Sequence, residues 1–160
     1  MSRGSNSGTE DAIAQIPNGL FVMTSQCDGR AAAVPVRWVQ QCASNPHMVM
    51  VALEKGQSIE PIVRESRFFA LCQISADDRF LVRKLSQRSE SDDALVAMMT
   101  NAAPSGSPIL NRAMSYLDCE IVRHVELDCD YRIYVGHVHT GAILNIGTPA
   151  ISYGSGGMAG

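Results

Sequence analysis

Six extended apolar segments constrain this chain most, because they are joined by turns and by helices that fall irregularly among them rather than alternating with them. They run from Leu20 to Ser25, Ala31 to Cys42, Met48 to Leu53, Arg67 to Ile74, Leu117 to Val125 and Tyr131 to Leu144, with Ala150 to Tyr153 as a short last candidate. Asp28-Gly29, between the first two, is a hairpin signal, since a two-residue loop needs positive φ at both positions. Pro35 has no backbone donor, which directs its segment to a sheet edge or a bulge. Met48 to Leu53 is apolar on both alternating faces, the pattern of a central strand covered on both sides. Leu117, Cys119, Ile121 and Val125 alternate with Asp118, Glu120, His124 and Glu126, as in a half-exposed strand, and Leu127 to Asp130 turns the chain back into Tyr131. Strands linked in this way are expected to close into an antiparallel all-β barrel with a few short inserted helices.

The helices follow from capping residues. Thr9 caps a segment to Ile16, which Pro17-Asn18-Gly19 ends. Ser58 caps a helix to about Glu65, with Pro61 tolerated in its first turn. Ser75 and Asp78 open a helix to about Gln87, and Ser91, followed by Asp92 and Asp93, opens another to Met99. Asn101 to Ser107 is a Pro/Gly/Ser loop. Residues 1–8, rich in Ser and Gly, read as a disordered tail before one domain over 9–160, since 160 residues are about one domain's worth.

Composition excludes several classes. A chain 46% hydrophobic and 18% charged is not a disordered, collagen-like or coiled-coil sequence. Net charge −3 gives no overall field for nucleic acid or an anionic membrane. No apolar run is long enough to span a bilayer, and MSRGSNSGTE lacks the apolar core of a secretory signal, so a cytoplasmic location is expected. The five cysteines are odd in number and form no CxxC pair, which points to reduced thiols rather than disulfides or zinc. Cys42, Cys72 and Cys119 fall at positions that read as buried, and Cys129 lies in a turn between two aspartates.

Two stretches carry candidate chemistry. Pro35-Val36-Arg37-Trp38 and Lys55-Gly56-Gln57-Ser58-Ile59 flank Met48 to Leu53, so two cations border one strand, and the second precedes a helix start whose free N–H groups suit a phosphate. Trp38 adds a flat apolar surface for a heteroaromatic ring. The plainer reading makes Arg37 and Lys55 solvated charges, Ser58 a cap and Trp38 core, and Glu60 competes for the same helix start. His137 and His139 leave one strand face together and are read as hydrogen-bonded surface histidines or, less simply, metal ligands. His137 faces Cys119 in one register of the last hairpin and Glu120 in the next. GxGxxG, GxxxxGK[ST] and GxSxG are all absent, and no metal is expected as primary cofactor.

From about Asp11 to Tyr153 the order of segments resembles the flavin reductase-like family of FMN-binding split barrels. Ile16-Pro17-Asn18-Gly19-Leu20-Phe21-Val22-Met23-Thr24 is similar to the family's opening turn and strand. Pro35 to Gln41, the Asn45-Pro46 turn and Met48 to Leu53 resemble its flavin strand and the strand after it, and Lys55 to Ser58 its phosphate turn. Ile62 to Phe68, Tyr116 to Glu120 and Tyr134 to Val138 resemble the elements that follow. The resemblance implies a Greek-key split barrel, a homodimer with FMN or FAD between subunits, NAD(P)H as substrate, and a partner monooxygenase as a route for reduced flavin. It places the cofactor on Pro35, Val36, Arg37, Trp38, Lys55, Gln57, Ser58 and Ile59, and the nicotinamide near Asp130 and Tyr131. Three positions depart from the pattern: Pro35 and Ile59 stand where the family commonly has threonines, and Asp130-Tyr131 stands where many members have Gly-Asp-His. Three functions therefore stay in view: an NAD(P)H-dependent flavin reductase, an FMN-binding electron-transfer protein without efficient NAD(P)H use, and a split-barrel module that has lost flavin. A pyridoxamine-phosphate oxidase-like activity shares the barrel but has no motif here.

Overall fold

The computed structural model describes residues 7–87, 93–153 and 157–158. In chain order the elements are α1 (Ser7–Ile13), β1 (Pro17–Gly19), β2 (Phe21–Cys27), β3 (Arg30–Val36), β4 (Val39–Ser44), β5 (His47–Glu54), α2 (Ile59–Ser66), β6 (Phe68–Gln73), α3 (Arg79–Ser86) and α4 (Asp93–Ala97). The chain continues with β7 (Asn101–Ala102), β8 (Pro108–Ile109), β9 (Ser115–Glu126), β10 (Tyr131–Ile143), β11 (Ile151–Tyr153) and β12 (Gly157–Met158). Seven strands form one antiparallel sheet in the order β3-β2-β6-β9-β10-β5-β4. The sheet curls until β3 at one edge contacts β5 near the other, the antiparallel barrel that the strand pattern predicts, in the split form that the resemblance implies. Asp28 and Gly29 both take positive φ in the β2–β3 turn, which is why that dipeptide sets the first hairpin. Pro35 lies on β3, an edge strand.

One core fills the barrel. Val34 and Val36 of β3, Val49, Val51 and Leu53 of β5, Phe69 and Leu71 of β6, and Tyr134 of β10 meet Ile59, Ile62 and Val63 of α2, which plugs one end. Gly136 is required here: a Cβ would lie 2.7 Å from Cζ of Phe69 and 2.9 Å from Cβ of Cys119. A second cluster covers the outer side, where Val22, Ala33 and Cys72 pack under Leu81 and Leu85 of α3 and Leu95 of α4. Asp78 caps α3, accepting a hydrogen bond from the backbone N–H of Leu81 at 3.2 Å, while Ser75 turns its hydroxyl to Asp77 and Thr148.

Several expectations change. α1 starts at Ser7, inside the segment read as a tail, and residues 1–6, like the helix start at Ser91 and Asp92, lie outside the described residues. The segment from Ala31 to Cys42 is two strands, interrupted at Arg37-Trp38, because β3 pairs with β2 whereas β4 pairs with β5 on the far edge. Met48 to Leu53 is not covered on both sides: Val49, Val51 and Leu53 point into the core, whereas Met50 on the other face is 37% exposed. Cys42 is exposed, since the register shift between Gln41 and Ala43 lifts it from the regular alternation. In the β9–β10 hairpin, the irregularity between Val135 and Gly136 sets His137 opposite Glu120.

Candidate functional site

The break between β3 and β4 creates the feature with most chemical content. The Trp38 carbonyl accepts a hydrogen bond from the backbone N–H of Ala52 at 3.0 Å, so its main chain is fixed to β5, while the residue as a whole is 39% exposed on the outer face. Beside it runs an open groove of about 210 Å³. Ile16 to Gly19, Arg37 to Gln40, Met50 and Ala52 of β5, and Ile133 of β10 line it. Its walls are mainly apolar, with Asn18, Arg37 and Gln40 as the polar side chains. Arg37 also donates from Nη2 to the Ser86 carbonyl at 3.4 Å.

Tyr131 pairs with Glu54 across β5 and β10, one alternation from the Ile133–Ala52 pair. Its ring packs on Trp38 with centroids 4.7 Å apart and planes tilted by 49°. Burial, with Glu54 and Asp130 beside it, raises the phenol pKa, and Arg37 partly offsets this. The phenol is therefore neutral at pH 7.

The second predicted stretch has a different role. The Lys55 ammonium donates to the Leu127 carbonyl at 2.8 Å and lies 3.4 Å from Glu126, while the Lys55 backbone N–H donates to the Asp130 carbonyl at 2.8 Å. Arg132 holds Glu126 through two bonds of 2.5 and 2.9 Å and also pairs with Glu60 of α2. The Arg132 bonds, with help from Lys55, draw the Glu126 carboxyl down to about 2. The other carboxylate oxygen of Glu60, Oε1, is buried without a hydrogen bond among the described residues.

The groove thus takes in Arg37 and Trp38, with Tyr131 against its tryptophan wall, but Lys55, Gln57, Ser58 and Ile59 do not line it. Val36 points into the core, Pro35 is half-buried on β3, and Asp130 is exposed in the turn. Ile59 is fully buried, and its side chain packs in the core. Ser58 precedes α2 with helical dihedral angles and makes no side-chain capping bond. Asn18, Gln40, Met50, Ala52 and Ile133 were not anticipated as groove residues. Their signal was an outward row of β5 that is apolar without being covered.

The remaining candidates are peripheral. His139 Nε2 lies 2.7 Å from a Glu120 carboxylate oxygen, and the His137 and His139 rings are 4.6 Å apart. Cys27, Asp28 and Glu65 bring three potential metal-ligand atoms together at the β2–β3 turn, where Glu65 is also paired with Arg30 at 3.3 Å. Burial pushes the Cys72 thiol up to about 11 and the Cys119 thiol up to about 12, which makes both poor nucleophiles.

Residues 13–157 match the model of the flavin reductase like domain. A putative diflavin flavoprotein A 1 of Nostoc sp. is 30% identical over 144 residues, covering 88% of this chain and 25% of that protein. The chain spans about a quarter of the length of the curated relatives it matches. Among solved structures, the NADH:FAD oxidoreductase of Streptomyces globisporus superposes with a TM-score of 0.78 at 17% identity, over 96% of this chain and 91% of that one. An FMN-binding protein from Thermus thermophilus does so with a TM-score of 0.77 at 19% identity, over 91% and 88%. At these identities the structural likeness shows the fold.

Proposed function

The chain belongs to the family of flavin reductase-like domains, and we propose that it is a flavin-binding oxidoreductase whose groove beside Trp38 holds FMN or FAD. The observation that carries this reading is the groove's make-up. A planar heteroaromatic ring needs flat apolar walls and a few convergent polar groups. Trp38, Met50, Ala52 and Ile133 supply the walls, and Asn18 and Gln40 the polar groups. Arg37 offers a charged fork to the phosphate. When bound, the isoalloxazine supplies two-electron chemistry, with NAD(P)H as hydride donor and free flavin or another acceptor receiving the electrons.

The protein's own part is placement. Trp38 is held by its backbone to β5 and by its ring to Tyr131, so the wall it presents is preorganised. Tyr131, neutral at pH 7, adds no charge beside the ring edge. Gln57 and Ser58 lie outside the groove, so in this reading any cofactor contact they make is with a part of the ligand that extends beyond it. The outward row of Met50 and Trp38 remains partly exposed, and a second copy of the chain covering it gives the homodimer with flavin between subunits. As a separate reductase the domain hands reduced flavin to a partner monooxygenase. No helix among the described residues is long and apolar enough to cross a membrane, and a cytoplasmic setting accompanies this reading.

A second reading is favoured by the relatives. This chain matches about a quarter of proteins named as diflavin flavoproteins, so it serves as an electron-transfer module that exchanges electrons with another flavin and draws little on NAD(P)H. One experiment separates the readings: purified protein is loaded with FMN, its absorbance is recorded, and NADH and then NADPH are added without oxygen. Bleaching by either nucleotide supports the reductase. A flavin band that neither bleaches supports the module, and a protein that takes up no flavin eliminates both.

A further inference from the structure

We propose that Lys55, Glu126, Arg132 and Glu60 are positioning residues for the groove: they clamp the β9–β10 turn to α2 and thereby hold Tyr131 against Trp38. None of the four lines the groove, so they act on it through Tyr131.

The argument starts from strand alternation. Arg132 and Tyr131 are neighbours on β10, so their side chains leave opposite faces. Arg132 pairs with Leu53, a residue of the barrel interior, and reaches Glu60 at the plugged end; Tyr131 pairs with Glu54 and reaches Trp38 outside. Fixing the guanidinium on the inside therefore fixes the phenol ring on the outside.

The turn between Glu126 and Tyr131 has no core of its own, because residues 126–130 are exposed. Its position depends on polar ties. Lys55 contributes three of them, a backbone bond to Asp130, an ammonium bond to the Leu127 carbonyl and an ion pair with Glu126. Arg132 contributes the bidentate pair with Glu126 and the link to Glu60. Both Arg132 and Glu60 have side chains only about a tenth exposed (11% and 10%). A guanidinium withdrawn from water in this way tolerates loss of its partner poorly, which makes the arrangement a stiff one. The clamp also accounts for a cation at the end of β5 that does not line the groove.

Trp38 is the chain's single tryptophan, so its fluorescence and near-ultraviolet circular dichroism read this wall with no ligand present. The inference rests on the flavin reading only for its second readout, FMN affinity. The test uses the full chain with Arg132→Met, the milder Lys55→Met, and Arg30→Met as a control that removes the exposed Arg30–Glu65 pair at the other turn. Arg132→Met is expected to shift Trp38 emission to the red, flatten its dichroism and raise the FMN Kd roughly tenfold. Lys55→Met is expected to do the same to a lesser degree, a few-fold in Kd, with Lys55→Arg restoring the wild-type spectrum, and Arg30→Met to change neither readout. Unchanged Trp38 spectra in both folded clamp variants overturn the proposal. If Arg132→Met fails to fold, Lys55→Met and Glu126→Gln decide on the same readouts. Should wild type bind no FMN while the clamp variants still shift Trp38, the flavin reading falls and the positioning role stands.

Discussion

On β5, Val49, Val51 and Leu53 point into the barrel and are sealed there, whereas Met48, Met50 and Ala52 on the same strand point outward and stay partly exposed. All six are uncharged and apolar, so hydrophobicity alone does not separate core positions from outward ones. What separates them is whether the fold supplies a cover. α2 and the opposite wall of the barrel cover the inner row, while the outer row meets Trp38, Ile133 and the Ile16–Gly19 segment around an open groove. In the flavin reading, this uncovered row is the surface that receives the cofactor.

The sharpest way to break this contrast is to cut each face in turn. Leu53→Ala leaves a cavity in the sealed core and is expected to cost about 2 to 5 kcal/mol in a urea melt, with FMN affinity of the remaining folded protein unchanged. Trp38→Ala should do the reverse, weakening FMN by about tenfold or more in an absorbance titration while the melt moves little. Loss of both properties together from either variant would merge the two faces into one structural unit. Arg37→Met refines the contrast: FMN is expected to weaken roughly tenfold and riboflavin, which has no phosphate, hardly at all.

A pH series probes the turn that buttresses the outer face. Glu126 titrates near 2 in the fold against an ordinary 4.5. A depressed carboxylate stabilises the fold above its unfolded pKa and loses that contribution as pH falls through the folded one. Trp38 emission is therefore expected to hold steady from pH 7 to below 4.5 and to change only on approach to 2. A transition centred near 4.5 would show that the clamp does not hold Glu126. The smallest effect concerns the thiols: Cys42 and Cys129 should react with a disulfide reagent in the native protein, and Cys72 and Cys119 only on unfolding.

Much of the fold was legible because local signals and tertiary pairing agree. Asp28-Gly29 takes the positive φ values its hairpin needs, Asp78 caps its helix, and Pro35 sits on an edge strand. Arg37 and Trp38 were legible as binding candidates and both line the groove. The rest depended on long-range partners that no local pattern encodes. The contacts of Lys55 lie more than seventy residues away on the β9–β10 turn, so no pattern around residue 55 shows them. Cys42 and His137 were misplaced or left open because single-residue irregularities reset the alternation on which face assignments rest.

One titration tests the central claim most directly: FMN added to the wild-type chain, followed at once by flavin absorbance and by Trp38 emission. The account predicts that the flavin quenches this single tryptophan and that both signals give one Kd. Flavin that binds by absorbance while Trp38 emission stays at its starting level would place the cofactor elsewhere and contradict it.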